Sequence, residues 1–270
     1  MLLEIVYQVM ADKGNKWQLG DRTEQFLWEL ADVIRFSGRT VREIFRRPFE
    51  WEELGRQCYF VGSKSLGLIG ITAFIMGLVL TMQTRPVMVE LGADAWLPGV
   101  VMVSMLREIG PVITALIFAG KVGSGIGAEL GSMRVTDQID AMEVSGINPM
   151  KYLVGTRVLA TTLMVPLLVF YADGIALLGS FIGVNIGGNI SFDLYLYQAL
   201  DQIWFLDFIP ATIKTFFFGF AIGVVGCYKG YNAKGGTQGV GVAANTAVVV
   251  SSVVIFILDM IAVQITELIL

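Results

Sequence analysis

Residues 65–84, SLGLIGITAFIMGLVLTMQT, run without a single charge between Lys64 and Arg85. About twenty helical residues cross the roughly 30 Å of hydrocarbon in a bilayer, and a helix satisfies its own backbone there. The run therefore reads as a membrane span, and the rest of the chain repeats the pattern. Residues 95–120 are apolar except for Arg107-Glu108 near the middle. A third span is expected over 158–187 with Asp173 inside it, a fourth over 208–228 with Lys214 near its start, and a fifth over 240–265 containing Asp259. The fold class is all-α and integral to a membrane.

Composition supports that class. The chain is 55% hydrophobic and 16% charged, against about 45–50% apolar and about a quarter charged in soluble domains. Charge is also concentrated, since residues 1–64 hold ten of the nineteen Lys and Arg. A net charge of −4 with no basic patch beyond that segment argues against a nucleic-acid partner. There is no histidine, and the two cysteines, Cys58 and Cys227, lie far apart without CxxC spacing. His-based metal sites, Ser-His-Asp triads and Cys-His dyads are excluded, so neither a catalytic residue nor a metal ligand is expected. The opening stretch MLLEIVYQVMADKGNK is interrupted by Glu4 and Asp12 and lacks a basic n-region, so no cleaved signal peptide is expected.

The connections set an orientation. With the N-terminus in the cytoplasm, residues 1–64, 121–157 and 229–234 lie inside and hold sixteen Lys and Arg. The outside connections then hold only Arg85, which predicts N-in, C-out. Within the N-terminal segment, Phe26, Leu27, Leu30, Val33, Ile34, Val41, Ile44 and Phe45 recur at three- and four-residue spacing opposite Arg and Glu. This predicts an amphipathic helix pair over 21–60 lying in the cytoplasmic interface, where Arg35, Arg39, Arg42, Arg46 and Arg47 reach anionic headgroups. The alternative is a cytoplasmic helical hairpin packed on the protein itself. Residues 1–64 are thus set apart as an interfacial elbow, and 65–270 as the membrane domain. No repeat of 20–50 residues and no inverted symmetry is visible.

The densest information lies in 104–160. Arg107-Glu108 sits where a charge costs at least about 2.5–3.5 kcal/mol to insert, so it should face a cavity or a partner. Pro111 lacks an N–H and clashes with the carbonyl of Arg107, which predicts a kink at the charged pair. Neighbouring residues on a helix point about 100° apart, so both charges are not expected to face one ligand. Either Arg107 meets an anionic substrate group while Glu108 braces it, or the two make interhelical ion pairs that fix the bundle. Farther along, Lys214 and Asp259 are expected at similar depth to Asp173, with Lys214 pairing with Asp259 or Asp173. Glycines at four-residue spacing (Gly123, Gly127, Gly131; Gly179, Gly183, Gly187; Gly219, Gly223) permit close helix contact. Gly120-Lys121 is not a phosphate-binding P-loop: Val122 stands where Ser or Thr must bind magnesium, and no glycine lies five before Gly120. The chain is not expected to carry its own ATP site.

Asp140-Ala141-Met142-Glu143-Val144-Ser145-Gly146 resembles the cytoplasmic E-A-A-x-x-x-G loop of ABC importer permeases, which docks into an ATPase. Asn148-Pro149 is expected to stop that helix. More specifically, Leu106–Val112, Phe118–Lys121, Ala128–Arg134 and Asp137–Glu143 look like the signature of the MlaE (YrbE) permease family. Asn148-Pro149, Arg157, Gly226–Tyr231 and Val248–Asp259 continue the likeness, which covers about residues 60–266. The first sixty residues match only in character.

The resemblance implies a homodimeric five-span permease bound to two ABC ATPase subunits, to a hexameric MCE-domain lipid carrier and often to a STAS-domain protein. Such complexes move phospholipids between bacterial inner and outer membranes, with ATP and Mg²⁺ held by the ATPase partner. It implies a lipid cavity lined or supported by Arg107, Glu108 and Pro111, and small residues in spans one and five that let lipid tails approach. It also implies an ATPase-facing coupling helix over 129–146 carrying Glu129, Asp137, Asp140, Glu143 and Gly146. Plastid and actinobacterial relatives carry other lipids. An ion-coupled secondary transporter using Arg107, Glu108, Asp173 and Asp259, or a non-transporting scaffold, would account for the buried charges without an ATPase.

Overall fold

A computed structural model describes residues 21–46 and 50–269 as an all-helical bundle, with no strand among them. Eight helices follow in chain order. They are α1 (Asp21–Ile44), α2 (Trp51–Glu90), α3 (Asp94–Val135), α4 (Gln138–Val144), α5 (Met150–Asn185), α6 (Phe192–Asp201), α7 (Phe205–Tyr231) and α8 (Gly236–Ile269). Five of them, α2, α3, α5, α7 and α8, are long and apolar enough to cross a membrane.

These helices outrun the charge-free stretches. At 1.5 Å per residue the 40-residue α2 is about 60 Å long, twice the hydrocarbon thickness. The expected division at residue 64 is therefore not a structural one: Trp51–Lys64 continue the first span, because no breaker separates them from it. Pro86 lies inside α2, and the helix ends four residues later in a glycine motif. Gly92, at φ 66°, lets its N–H bond Val89 O while Ala93 N bonds Met88 O at 2.8 Å.

The amphipathic segment 21–60 is thus α1 followed by the opening turns of α2. Residues 1–20, Arg47 and the Phe26 side chain, included in that expectation, lie outside the described residues. α1 packs one face on the bundle: Phe36 meets the Tyr228 ring edge-on at 5.5 Å, Ile44 abuts Gly155, and Glu29 pairs with Lys229. Leu27, Leu30, Ile34, Val41 and Phe45 stay exposed on another face. The packed face is the one that the self-packed reading expected.

Small residues set the closest crossings. A Cβ on Gly179 would run into the Phe74 carbonyl, and one on Gly77 into the Ala176 carbonyl, so α2 and α5 meet backbone to backbone. Thr81 Oγ1 donates to Ser180 Oγ across the same contact at 2.7 Å. Helix α6 begins at Ser191, whose Oγ accepts from Leu194 N at 3.4 Å. It is anchored by the buried Tyr195, whose hydroxyl donates to Leu177 O; burial pushes that phenol above its usual range.

Candidate functional site

The charged centre of α3 is shaped by its proline. Pro111 offers no N–H, and the residues before it, Met105–Ile109, form a π-helical turn in which Gly110 N bonds Met105 O, five residues back. The wider turn accommodates the proline ring where an α-helical ladder would clash. It also turns both Arg107 and Glu108 toward α7 and α8. The two side chains line one cavity of about 680 Å³ together with Asp207, Pro210, Ala211, Lys214, Ala262 and Thr266, each reaching a different partner.

Three ion pairs stand at that cavity. Arg107 pairs with Asp207, whose other carboxylate oxygen accepts the Trp204 N–H at 3.0 Å and so caps the start of α7. Lys214, 4% exposed, donates to Glu108 Oε2 and to Asp259 Oδ1, each at 2.8 Å, and joins α3, α7 and α8 at one ammonium. The Arg107 side chain remains 51% exposed and keeps guanidinium N–H groups aimed into the cavity beyond the one given to Asp207. Beside the polar cavity lies an apolar groove of about 510 Å³ walled by Ile209, Ile213, Phe217, Leu258, Ile261 and Ile265. The two share Pro210, Lys214, Ala262 and Thr266 as wall residues and are therefore adjacent.

Asp173 does not join this cluster. It is 6% exposed on α5, its Oδ1 has no hydrogen-bond partner among the described residues, and it packs against Gly110. The alternative pairing of Lys214 with Asp173 is therefore not the one adopted; α5 presents that carboxylate to the back of the π turn, away from Lys214.

At the other end of α3, the expected continuous helix over 129–146 is two elements. α3 carries Glu129 and ends at Val135; Asp137, at φ 57°, turns the chain, and α4 carries Asp140 and Glu143. Asp is among the few non-glycine residues that adopt this left-handed conformation readily. Gly146, at φ 78°, closes α4: its N–H bonds Glu143 O and the next N–H bonds Met142 O, both at 3.0 Å. The glycine of the heptad is thus the helix stop, three residues before the Asn148-Pro149 step expected to do it.

The rest of this unit is tied to the bundle. Glu129 accepts from the buried Arg157 at 2.8 Å, Asp140 pairs with Arg134, and Glu143 accepts from Tyr231 OH at 3.3 Å. Asn148 Nδ2 donates to Glu43 of α1 at 3.0 Å. Val144, 90% exposed, heads an unpaired apolar tip that continues into Ile147.

The sequence pointed to Arg107, Glu108, Lys214 and Asp259 but not to Asp207. An acid three residues after the residue preceding a helix is a capping pattern, and that signal would have found it.

The family model described as Permease MlaE matches residues 54–265. A probable ABC transporter permease protein of Rickettsia felis is 36% identical over 239 residues, covering 88% of this chain and 92% of its own length. One from Synechocystis sp. is 35% identical over 259 residues, covering 92% of this chain and 93% of the relative. The chloroplastic protein trigalactosyldiacylglycerol 1 of Arabidopsis thaliana is 32% identical over 245 residues, covering 91% of this chain and 69% of the relative.

Proposed function

The chain belongs to the MlaE permease family, and from that premise we propose that it is the permease subunit of an ABC transporter that moves phospholipids between bacterial inner and outer membranes. The observation that carries the reading is the joined site on α3, α7 and α8. A polar cavity lined by the half-exposed Arg107 adjoins an apolar groove, a division of chemistry that matches a lipid's phosphate and acyl chains. Arg107 binds the anionic headgroup through guanidinium N–H groups not used by Asp207. Glu108, Lys214 and Asp259 hold the three helices in register around it, and the π turn at Pro111 aims the first two charges. The name of the Arabidopsis relative, which is that of a diacylglycerol glycolipid, supports a lipid cargo.

In this reading the work is supplied by two ATPase subunits, which hold ATP and Mg²⁺ and dock on α4 and the end of α3. Glu129, Asp140, Glu143 and the Asp137 and Gly146 turns form that surface, with Val144 at its tip. Two copies of the chain make the membrane unit, N-termini in the cytoplasm and C-termini outside, and an MCE-domain hexamer with or without a STAS-domain protein completes the assembly. Purification from membranes tests the first step: the wild-type chain should retain phospholipid, and Arg107→Gln should lose most of it without unfolding. Equal retention by both proteins would contradict the assignment.

A second reading, ion-coupled transport, draws on the buried and unpartnered Asp173. It requires transport without any ATPase.

A further inference from the structure

A second pair of cations stands at a different depth. Lys121 lies on the other π turn of α3, Ala119–Gly123, and is exposed. Its Nζ donates to the backbone carbonyl of Lys64 on α2, while the Lys64 ammonium lies 3.5 Å from the centroid of the Phe60 ring. The Lys121 ammonium therefore reaches the α2 backbone at Lys64, one helical turn from Phe60. Among the described residues no carboxylate pairs with either. Three cations deeper in the spans do have acids: Arg107 has Asp207, Arg157 has Glu129, and Lys214 has Glu108 and Asp259.

The patch is also open. A Cβ on Gly120 or Gly125 of α3, or on Gly67 of α2, would meet nothing within 4 Å. Lys64 is the last charge before the charge-free run of α2, and Lys121 the first after residues 108–120. Both stand at the same edge of the hydrocarbon, where headgroup phosphates lie. Long amines at that depth, with no carboxylate beside them, extend into the headgroup layer and meet its phosphates.

We infer that Lys64 and Lys121 form a second phosphate-binding site, for the headgroup of a phospholipid at the membrane edge opposite the C-terminal end of α8. It rests on the phospholipid reading of the Arg107 cavity and extends it. Lys121 follows Arg107 by fourteen residues, about 20 Å along the helix axis. α3 then presents one phosphate-binding cation in mid-membrane and a second at its edge, two stations for the same headgroup.

Native mass spectrometry of the full chain in mild detergent, titrated with dioctanoyl phosphatidylglycerol, tests it. The wild type should bind two molecules per chain. Lys121→Gln should weaken one of them about tenfold, the scale of one lost charge-assisted hydrogen bond. Lys121→Arg should restore it, and Arg107→Gln should weaken the other. On the wild type, which needs no substitution to fold, dioctanoylglycerol should fail to displace the Lys121-dependent molecule. Unchanged binding in both Lys121→Gln and Lys64→Gln would overturn the site while leaving the Arg107 cavity intact. So would displacement by dioctanoylglycerol, or by inorganic phosphate at the same concentration as the lipid. Absence of any bound phospholipid on the wild type would overturn this site and the Arg107 reading together.

Discussion

Glu108 on α3 and Lys214 on α7 meet at 2.8 Å, and the same ammonium reaches Asp259 on α8 at the same distance. One cation thus closes a triad across three helices, with Lys214 almost fully buried and Glu108 half open to the cavity.

That arrangement makes Lys214 the hardest of the three to remove. Lys214→Met leaves two neighbouring carboxylates without their cation, and breaking a buried pair from one side costs about 3–5 kcal/mol. The variant should unfold at markedly lower denaturant than wild type. Adding Glu108→Gln and Asp259→Asn should recover most of the loss, which a thermodynamic cycle in detergent measures. Additive losses would show that the three do not act as a unit.

Asp207 serves two partners, so its substitution should report twice. Asp207→Asn weakens the Arg107 pair and the cap on Trp204 N, with a cost of about 1–2 kcal/mol in stability. Phospholipid retention should fall less than in Arg107→Gln, because the guanidinium stays in the cavity. Thermal unfolding and lipid counting on the same preparation separate the two effects.

Gly146 closes α4 in a left-handed conformation that costs other residues about 1–2 kcal/mol. Gly146→Val should leave the five long helices folded while fraying α4. ATPase subunits should then fail to co-purify with the variant. Normal recovery of the ATPase would remove α4 from the docking surface.

At the α2–α5 crossing, Gly179→Leu places a side chain against the Phe74 carbonyl and should destabilise the bundle by about 3 kcal/mol or more. Gly174, with nothing within 4 Å of a Cβ, is the control on the same helix: Gly174→Ala should fold normally. Fluorescence-detected size exclusion after heating distinguishes them.

Asp173 discriminates between energy sources. Asp173→Asn keeps its size and packing, and an ATPase-driven permease should retain its transport rate. Loss of transport with normal folding would favour ion coupling.

The five spans were legible because membrane insertion leaves a plain mark: long apolar runs between charges, with helix periodicity irrelevant. What the runs did not give was helix length, since α2 and α3 continue through polar residues once outside the hydrocarbon, where charge no longer limits them. The pair Lys214–Asp259 was legible from charge and depth alone, whereas Asp173 was not separable from Asp259 by either. Its helix faces the back of the π turn, a matter of packing that no single-residue property records. The π turn itself follows from Pro111 as a disturbance at Arg107, but its consequence, two adjacent charges lining one cavity, required the three-dimensional path of α3. Asp207 was overlooked because it falls one residue outside the expected fourth span, 208–228, and its pairing with Arg107 depends on how α3 and α7 pack. Gly146 was noticed as part of a heptad, yet its physical role as the helix stop appears only in its φ and its two hydrogen bonds.

The most direct test is lipid transfer from a reconstituted complex. The chain, with its ATPase subunits, is placed in liposomes containing a fluorescent phospholipid, and transfer to a soluble MCE-domain acceptor is followed with and without ATP. The account predicts transfer that needs ATP and Mg²⁺ and is lost in Arg107→Gln. Transfer at the same rate without ATP, or driven by a membrane potential with no ATPase present, would contradict it.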